Sequence, residues 1–325
     1  MSVHPDKSTT VRSGPPGLVT VAVEALERIS PALASRFAER LFTTPGRRAP
    51  REWERSVFAK AEPFRIRAAG TDLRGALIGE GPAVLLVHGW SGGGSQLAAF
   101  VPPLLAAGCA VVAFDGPAHG ASAGRRATMP ELADAAADVA RRFGVRAAIG
   151  HSLGGAALAL ALHRGLSLDA AVLVAPPRAA TVLFEEFCAA IGLSGVTRSR
   201  LRERLERRVG VRLVDLDLPS MVGGLRTPAL VIHDAGDGEV PFEDGAAIAA
   251  AWPGARLLAT ERLGHRRILR DPAVLDATRE FVVGSLPRCA CGRLPSAVAL
   301  GEPRCGTCLL ELHLADREGR SVARA

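Results

Sequence analysis

The chain has 325 residues, of which 48% are hydrophobic and 22% charged, enough apolar sequence for one large core and a small appendage. Its net charge of +7 is carried almost wholly by arginine, but the densest basic stretch, residues 197–212, has no aromatic residue and includes two glutamates, which argues against nucleic-acid binding. No apolar run is long enough to span a bilayer and no signal-peptide core is recognisable, so we expect a cytoplasmic protein without a transmembrane segment.

The first part of the chain, residues 1–61, is predicted to be a helical segment. Apolar positions recur at helical spacing over residues 17–42, and Ser30 followed by Pro31 marks the start of a second helix. We expect these helices to cover the protein surface or to form a dimer contact. Anchoring at a membrane surface is the alternative.

Six short apolar runs follow, and each is continuous rather than alternating, as in strands covered on both faces. They occupy residues 83–88, 110–114, 146–150, 170–175, 228–233 and 255–259. Helix-like segments separate most of them, including one that opens with the capping-box pair Thr128 and Glu131. The pattern predicts an α/β fold with a mostly parallel sheet flanked by helices, preceded by an antiparallel hairpin at residues 63–81.

Residues 178–226 separate two of these strands by about fifty residues of helical character, far more than a connection needs. We interpret this stretch as a helical cap inserted into a domain of residues 62–287. Its apolar side chains are Phe184, Phe187, Leu193 and Met221. They suggest an apolar pocket for an acyl or alcohol group, although helical amphipathicity alone would place them against the body of the protein.

A polar pentapeptide, Gly150–His151–Ser152–Leu153–Gly154, lies between an apolar strand and an alanine-rich helix. This G-x-S-x-G arrangement is typical of a sharp strand-to-helix turn that exposes the serine at the carboxyl end of a sheet. Side chains at positions 150 and 154 would collide with the neighbouring chain, so both are glycine. Backbone N–H groups that open the following helix would point toward developing negative charge.

Five motifs together resemble the α/β-hydrolases over approximately residues 62–285. They are His88–Gly89, residues 115–120, residues 150–154, residues 237–241 and Gly264–His265. The resemblance implies an α/β-hydrolase fold, and the order serine, aspartate, histidine is that of the family. Two departures are that the first loop lacks the usual proline and that Ala118 stands where the family usually has glycine.

Chemistry requires a base beside Ser152, because a serine hydroxyl is a poor nucleophile at neutral pH. Of the eight histidines, His265 follows a strand and a glycine in a short loop, and we expect it to be the general base. The resemblance selects Asp237, three residues before Val-Pro, to orient it, with Asp234 as the alternative. The oxyanion hole is expected at the N–H of Leu153, and the resemblance points to Trp90 for the second N–H.

A serine nucleophile implies acyl chemistry, since family branches with an aspartate nucleophile form alkyl-enzyme esters instead. We therefore predict a serine hydrolase that cleaves a small-molecule carboxylic ester through an acyl-enzyme and needs no cofactor for catalysis. Thioester or amide cleavage, carbon-carbon hydrolysis and acyl transfer are alternatives. A further alternative is an inactive hydrolase scaffold that binds a protein partner.

The tail, residues 288–325, carries two cysteine pairs, Cys289–Cys291 and Cys305–Cys308, thirteen residues apart. Four thiolates around a turn-rich connection suit a structural zinc ion, with disulfides or a redox pair as alternatives. A site filled by four sulfurs has no open position for water, so we expect no part in hydrolysis. The tail is expected to serve docking to a protein partner or contact in a homo-oligomer. Cys109 and Cys188 are expected to be packing residues.

Overall fold

The computed structural model describes residues 17–289 and, in the tail, residues 291, 292, 294, 297–299, 302–305 and 308. One eight-stranded sheet has the order β1-β2-β4-β3-β5-β6-β7-β8. Its strands are β1 (Glu62–Ala68), β2 (Thr71–Ile78), β3 (Ala83–Val87), β4 (Ala110–Asp115), β5 (Ala147–His151), β6 (Ala170–Val174), β7 (Ala229–Asp234) and β8 (Arg256–Thr260). Strands β3 to β8 pair in parallel, whereas β1 and β2 form the predicted antiparallel hairpin, and β2 pairs antiparallel with β4.

Helices cover both faces of this sheet. They are α1 (Leu18–Ile29), α2 (Pro31–Thr43), α3 (Glu52–Val57), α4 (Val101–Ala106), α5 (Met129–Arg142), α6 (Leu153–His163), α7 (Ala180–Ala190), α8 (Gly195–Val209), α9 (Leu218–Val222), α10 (Phe242–Ala251), α11 (Gly264–Arg267) and α12 (Pro272–Ser285). Along β3, Leu85 and Val87 face a core that includes α5 and α6, while Val84 and Leu86 face one that includes α4 and α12. Burial on both faces explains why the sequences of β3 to β7 are continuously apolar. The expectation fails for β8, which is an edge strand and has no fully buried residue.

The sheet confirms the predicted architecture, and local signals place several helix ends correctly. Thr128 precedes α5, and its hydroxyl accepts a hydrogen bond from the Glu131 N–H at 3.4 Å. Pro31 begins α2 as predicted, but the hydroxyl of Ser30 makes no capping hydrogen bond within the described chain. None of the helices described here has both the length and the apolar character to cross a membrane.

The N-terminal helices pack on the insertion between β6 and β7. The ring of Phe42 in α2 lies 5.0 Å, centroid to centroid, from that of Phe187 in α7. The buried Glu39 of α2 pairs with Arg204 of α8 and with Arg126. Helix α2 therefore covers the surface, as the first of the two interpretations expects. The division into three domains stays a prediction.

The tail contributes two short antiparallel strands, β9 (Ala297–Ala299) and β10 (Glu302–Arg304). Residues 1–16 of the predicted N-terminal segment and residues 309–325 of the predicted tail lie outside the described residues. Cys109 and Cys188 are buried in the main cores, which agrees with the packing role expected for them.

Candidate active site

Ser152 occupies the turn between β5 and α6. Its backbone has φ +51° and ψ −125°, a conformation that non-glycine residues rarely adopt. A Cβ on Gly150 would lie 2.6 Å from the carbonyl oxygen of Gly154. A Cβ on Gly154 would collide with the carbonyl oxygen of Val87. The turn is thus the strained, glycine-flanked elbow predicted from the sequence.

The loop after β3 lies directly beside this elbow. A Cβ on Gly89 would lie only 3.2 Å from the Cβ of Ser152, which shows how closely the loop approaches the elbow. The Gly89 N–H donates to Gln96 Oε1 at 2.7 Å, which holds the loop in place. In the described part of the chain, neither the Trp90 N–H nor the Leu153 N–H has a protein acceptor. Both N–H groups are therefore available to a developing oxyanion.

Two buried histidines brace this loop. His88 Nε2 accepts from the Gly116 N–H at 2.8 Å, and His119 Nε2 accepts from the Ser91 N–H at 3.2 Å. Burial lowers the pKa of His119 to about 4, so the ring is neutral near pH 7 and can act as an acceptor. Sequence reasoning did not assign a role to His119, although it lies within a recognised motif. Ala118 beside it adopts φ +64°, the left-handed conformation that a glycine would take more easily.

Asp237 and His265 meet across the ends of β7 and β8. His265 Nδ1 lies 2.7 Å from Asp237 Oδ2, while Asp237 Oδ1 accepts the N–H groups of Glu239 and Val240 at 2.8 and 3.0 Å. Burial alone would raise the pKa of Asp237, but the nearby His233 ring, 3.6 Å away, and the hydrogen bonds from His265 and the two N–H groups hold that pKa well below its ordinary value. An ionised carboxylate at this position can orient an imidazole and stabilise its protonated form.

Asp234, the alternative partner, is occupied differently. Its oxygens accept the N–H groups of Gly236, Leu263 and Gly264 at 2.9–3.0 Å and the hydroxyl of Thr260 at 2.8 Å. The carboxylate therefore ties the loop before His265 to the end of β7. Asp234 thus acts as an acceptor for the N–H groups of the loop.

His151 supports His265 from within the protein. Its Nε2 lies 3.0 Å from the carbonyl oxygen of His265, and the two ring centroids are 4.7 Å apart. Burial lowers the pKa of His151 to about 3, so the ring is neutral near pH 7. The hydrogen bond shows that His151 packs against the loop that carries His265. The two residues are far apart in the sequence, so the sequence did not predict this contact.

Ser152 and His265 line one cavity of about 410 Å³. Gly89 and Trp90 also line it, and these four residues form what we call the floor. A second set of lining residues, which we call the rim, consists of Arg48, Arg51, Trp53 and Glu54 before β1, together with Glu239, Arg266 and Arg270. The structure thus brings the predicted serine, base and loop to one cavity that is also lined by many charged side chains.

The apolar side chains of the insertion do not line this cavity. Phe184, Leu193 and Met221 are buried in the main core, and Phe187 packs against it. The suggestion of an apolar acyl pocket in the cap is therefore wrong, and the alternative, packing against the body, is correct. The physical reason is that Phe184 and Phe187 of α7 pack against Phe42 of α2, while Leu193 and Met221 are part of the main core.

The four tail cysteines form a separate cluster. The sulfurs of Cys289, Cys291, Cys305 and Cys308 all lie within 4.8 Å of one another. Those of Cys291 and Cys305 are 3.5 Å apart. Backbone N–H groups of Cys291 and Cys305 lower the pKa of the Cys289 thiol to about 6, which favours the thiolate needed for metal binding. The spacing can hold a metal ion, because four sulfurs at about 2.3 Å from a tetrahedral ion are about 3.8 Å apart.

Comparison with known proteins agrees with this geometry. The sequence model described as the alpha/beta hydrolase family matches residues 84–306, more than half of the chain. No curated protein matches the sequence.

Three solved structures illustrate the similarity in fold. An esterase from Thermogutta terrifontis is 20% identical, with a TM-score of 0.54, and the match covers 69% of this chain and 99% of that one. An esterase from Exiguobacterium antarcticum is 18% identical, with a TM-score of 0.53 over 69% and 98% of the two chains. A meta-cleavage product hydrolase from Pseudomonas fluorescens IP01 is 18% identical, with a TM-score of 0.51 over 68% and 96%. At these identities the likeness concerns the fold.

Proposed function

Because the chain belongs to the alpha/beta hydrolase family, we propose that it is a serine hydrolase that cleaves a carboxylic ester of a small molecule. The observation that carries this proposal is the 2.7 Å contact between His265 Nδ1 and Asp237, at a cavity that also contains the strained Ser152. An imidazole held through Nδ1 presents Nε2 as the base, the tautomer that serine activation requires.

The proposed reaction has two halves. His265 Nε2 takes the proton of Ser152 as Oγ bonds to the ester carbonyl carbon, and the carbonyl oxygen becomes an oxyanion near the N–H groups of Leu153 and Trp90. The C–O bond to the alcohol then breaks, and His265 returns the proton to the leaving oxygen. Water, deprotonated by His265, attacks the acyl-enzyme, releases the acid and restores the Ser152 hydroxyl.

The test is turnover of p-nitrophenyl acetate by the wild type and by Ser152→Ala. We expect the substitution to lower kcat/KM by at least about 10³-fold, because the nucleophile is lost. Equal rates in the two proteins would contradict the assignment of Ser152 as the nucleophile. Circular dichroism and thermal unfolding of both proteins serve as the folding control.

We also propose that the tail cysteines bind a structural zinc ion, in a protein that acts in the cytoplasm. Four sulfurs within one coordination sphere support this proposal, and a complete sulfur set would leave no position for a catalytic water. Metal analysis of protein purified without added zinc should give one zinc per chain, and none after all four cysteines are replaced by serine. Intact free thiols without metal in the wild type would contradict the proposal.

A further inference from the structure

The rim of the cavity has an unbalanced charge. It contains four guanidinium groups, from Arg48, Arg51, Arg266 and Arg270, but only two carboxylates, from Glu54 and Glu239. Arginine side chains exceed acidic ones by two in a space of about 410 Å³, beside the predicted nucleophile. A wall of this kind raises the local concentration of anions and lowers that of cations.

One arginine is committed to a buried carboxylate. Glu54 pairs with Arg48, accepts the Arg51 N–H at 3.0 Å and accepts the Ser95 hydroxyl at 3.2 Å. Burial alone would raise the pKa of Glu54, but the hydrogen bonds from Arg48 and Arg51 keep that pKa below its ordinary value. Glu54 therefore stays ionised and fixes α3 against the segment that follows β3. Arg48 acts as its counter-ion rather than as a free cation.

Arg266 is also neutralised, because its Nε lies 2.8 Å from Glu239 Oε1. Arg51 and Arg270 are the two rim arginines still to be considered. Within the described residues, neither guanidinium group has a carboxylate partner or a hydrogen-bond acceptor from the protein. The guanidinium carbon of Arg270 lies 6.0 Å from the ring centroid of Trp53, a cation–π distance that occupies its face and leaves its N–H edge free.

We propose that the substrate of this site is an ester that carries a second, anionic group, which Arg51 and Arg270 bind at the rim while the ester carbonyl lies at Ser152. This inference rests on the proposed function and adds the substrate class. A planar guanidinium fork matches the oxygens of a carboxylate or a phosphate, and contact in a partly enclosed cavity strengthens the attraction. Both side chains are exposed, so their N–H groups are accessible to such an anion.

The test compares p-nitrophenyl hydrogen glutarate, which has a free carboxylate, with its methyl ester, which is similar in shape but neutral. Because the free carboxylate attacks its own ester and releases p-nitrophenolate without enzyme, the spontaneous rate of each ester is subtracted and Ser152→Ala serves as the blank. We expect the wild type to show a kcat/KM at least tenfold higher for the acid at low ionic strength. This preference should shrink as salt is added, because salt screens the attraction.

Substitutions assign the preference to its residues. In Arg51→Gln and in Arg270→Gln the preference ratio should fall about three- to tenfold, and in the double variant the two esters should become equivalent. Arg207→Gln on α8 is the matched control, since it removes one charge from an exposed side chain that does not line the cavity. That control should retain the wild-type ratio. Thermal unfolding establishes that all variants fold.

Competition distinguishes carboxylate from phosphate. Glutarate and propyl phosphate should both inhibit hydrolysis of the neutral ester competitively, and the stronger inhibitor identifies the anion that the rim prefers. Glutaramide, which is neutral, should inhibit at least tenfold more weakly than glutarate.

The inference and the proposed function can fail separately. Ser152-dependent hydrolysis with no preference for the acid would overturn the anionic substrate alone. A preference that survives in the double variant would also overturn it. Activity that persists in Ser152→Ala would instead overturn the proposed function.

Discussion

The floor and the rim of the cavity differ in how they are held. The floor lies at the carboxyl ends of parallel strands, and its backbone includes close approaches, such as Gly154 against the carbonyl oxygen of Val87, that only glycine permits. The rim is built from side chains of α3 and its flanks, of the loop after β7 and of the stretch after His265, and two of its arginines have no acidic partner in the described chain. On the proposed function, we expect the floor to determine the chemistry and the rim to determine which ester is accepted.

The largest effect is expected at the floor. His265→Ala should lower kcat by about 10³- to 10⁶-fold on the acidic and the neutral glutarate ester alike, because the base is lost whichever substrate is bound. Steady-state kinetics measure this directly. His163→Ala, at an exposed position in α6, is the matched control and should retain activity. A loss of kcat on only one of the two esters would contradict the separate roles of floor and rim.

The next largest effect is expected at Asp237, and substitution of Asp234 should have a different effect. Asp237→Asn should lower kcat about 10²- to 10⁴-fold, because an amide cannot stabilise the protonated His265. Asp234→Asn should lower kcat less than about tenfold and mainly reduce the free energy of unfolding, since it weakens four hydrogen bonds that tie the loop. Kinetics and urea unfolding of both variants check this, and the reverse order of kcat losses would reassign the acid to Asp234.

The buried His151, beside the floor, should make the stability of the protein sensitive to acid. The pKa of His151 is about 3 in the folded protein against an ordinary 6.5, so the unfolded chain alone takes up the proton as pH falls below 6.5. Stability present above pH 6.5 is therefore lost on acidification, by up to about 3 kcal/mol at pH 4.5. In urea unfolding at pH 7 and 4.5, His151→Asn should lose less stability than the wild type.

The control for this prediction is His163→Asn, at the exposed position, which should follow the wild type in its response to pH. An acid-induced loss of stability in His151→Asn equal to that of the wild type would show that His151 is not the group responsible.

The smallest effect is expected at the rim aromatic residue. Trp53→Leu removes the ring beside Arg270 and should raise KM for the acidic glutarate ester about two- to fivefold with little change in kcat, since a cation–π contact is worth about 0.5–1 kcal/mol at an exposed site. Trp53→Phe keeps a ring and should restore part of the affinity. A larger loss for the neutral ester than for the acidic one would indicate that Trp53 serves general packing instead.

The sequence predicts the floor far better than the rim, for a physical reason. Ser152, Asp237 and His265 each follow a recognisable apolar strand, and parallel strands bring their carboxyl ends to one edge whatever lies between them. Arg51 and Trp53 precede Ser152 by about a hundred residues and reach the cavity through long-range packing, such as Glu54 on Ser95. No local sequence pattern predicts such a long-range contact.

The insertion shows the same limit from the other side. Its helices follow from periodicity and length, but amphipathicity cannot tell which neighbour an apolar face will meet. Phe187 meets Phe42 of the N-terminal segment, a partner about 145 residues earlier in the chain. An apolar pocket was therefore expected where the structure has a packed interface.

Labelling with a fluorophosphonate tests the central claim most directly, because the reagent needs an activated serine and no knowledge of the substrate. Peptide mapping by mass spectrometry should find one adduct per chain, on Ser152, and almost none in His265→Ala or after heat denaturation. An unlabelled Ser152 in folded wild-type protein, or an adduct on a different serine, would contradict the account.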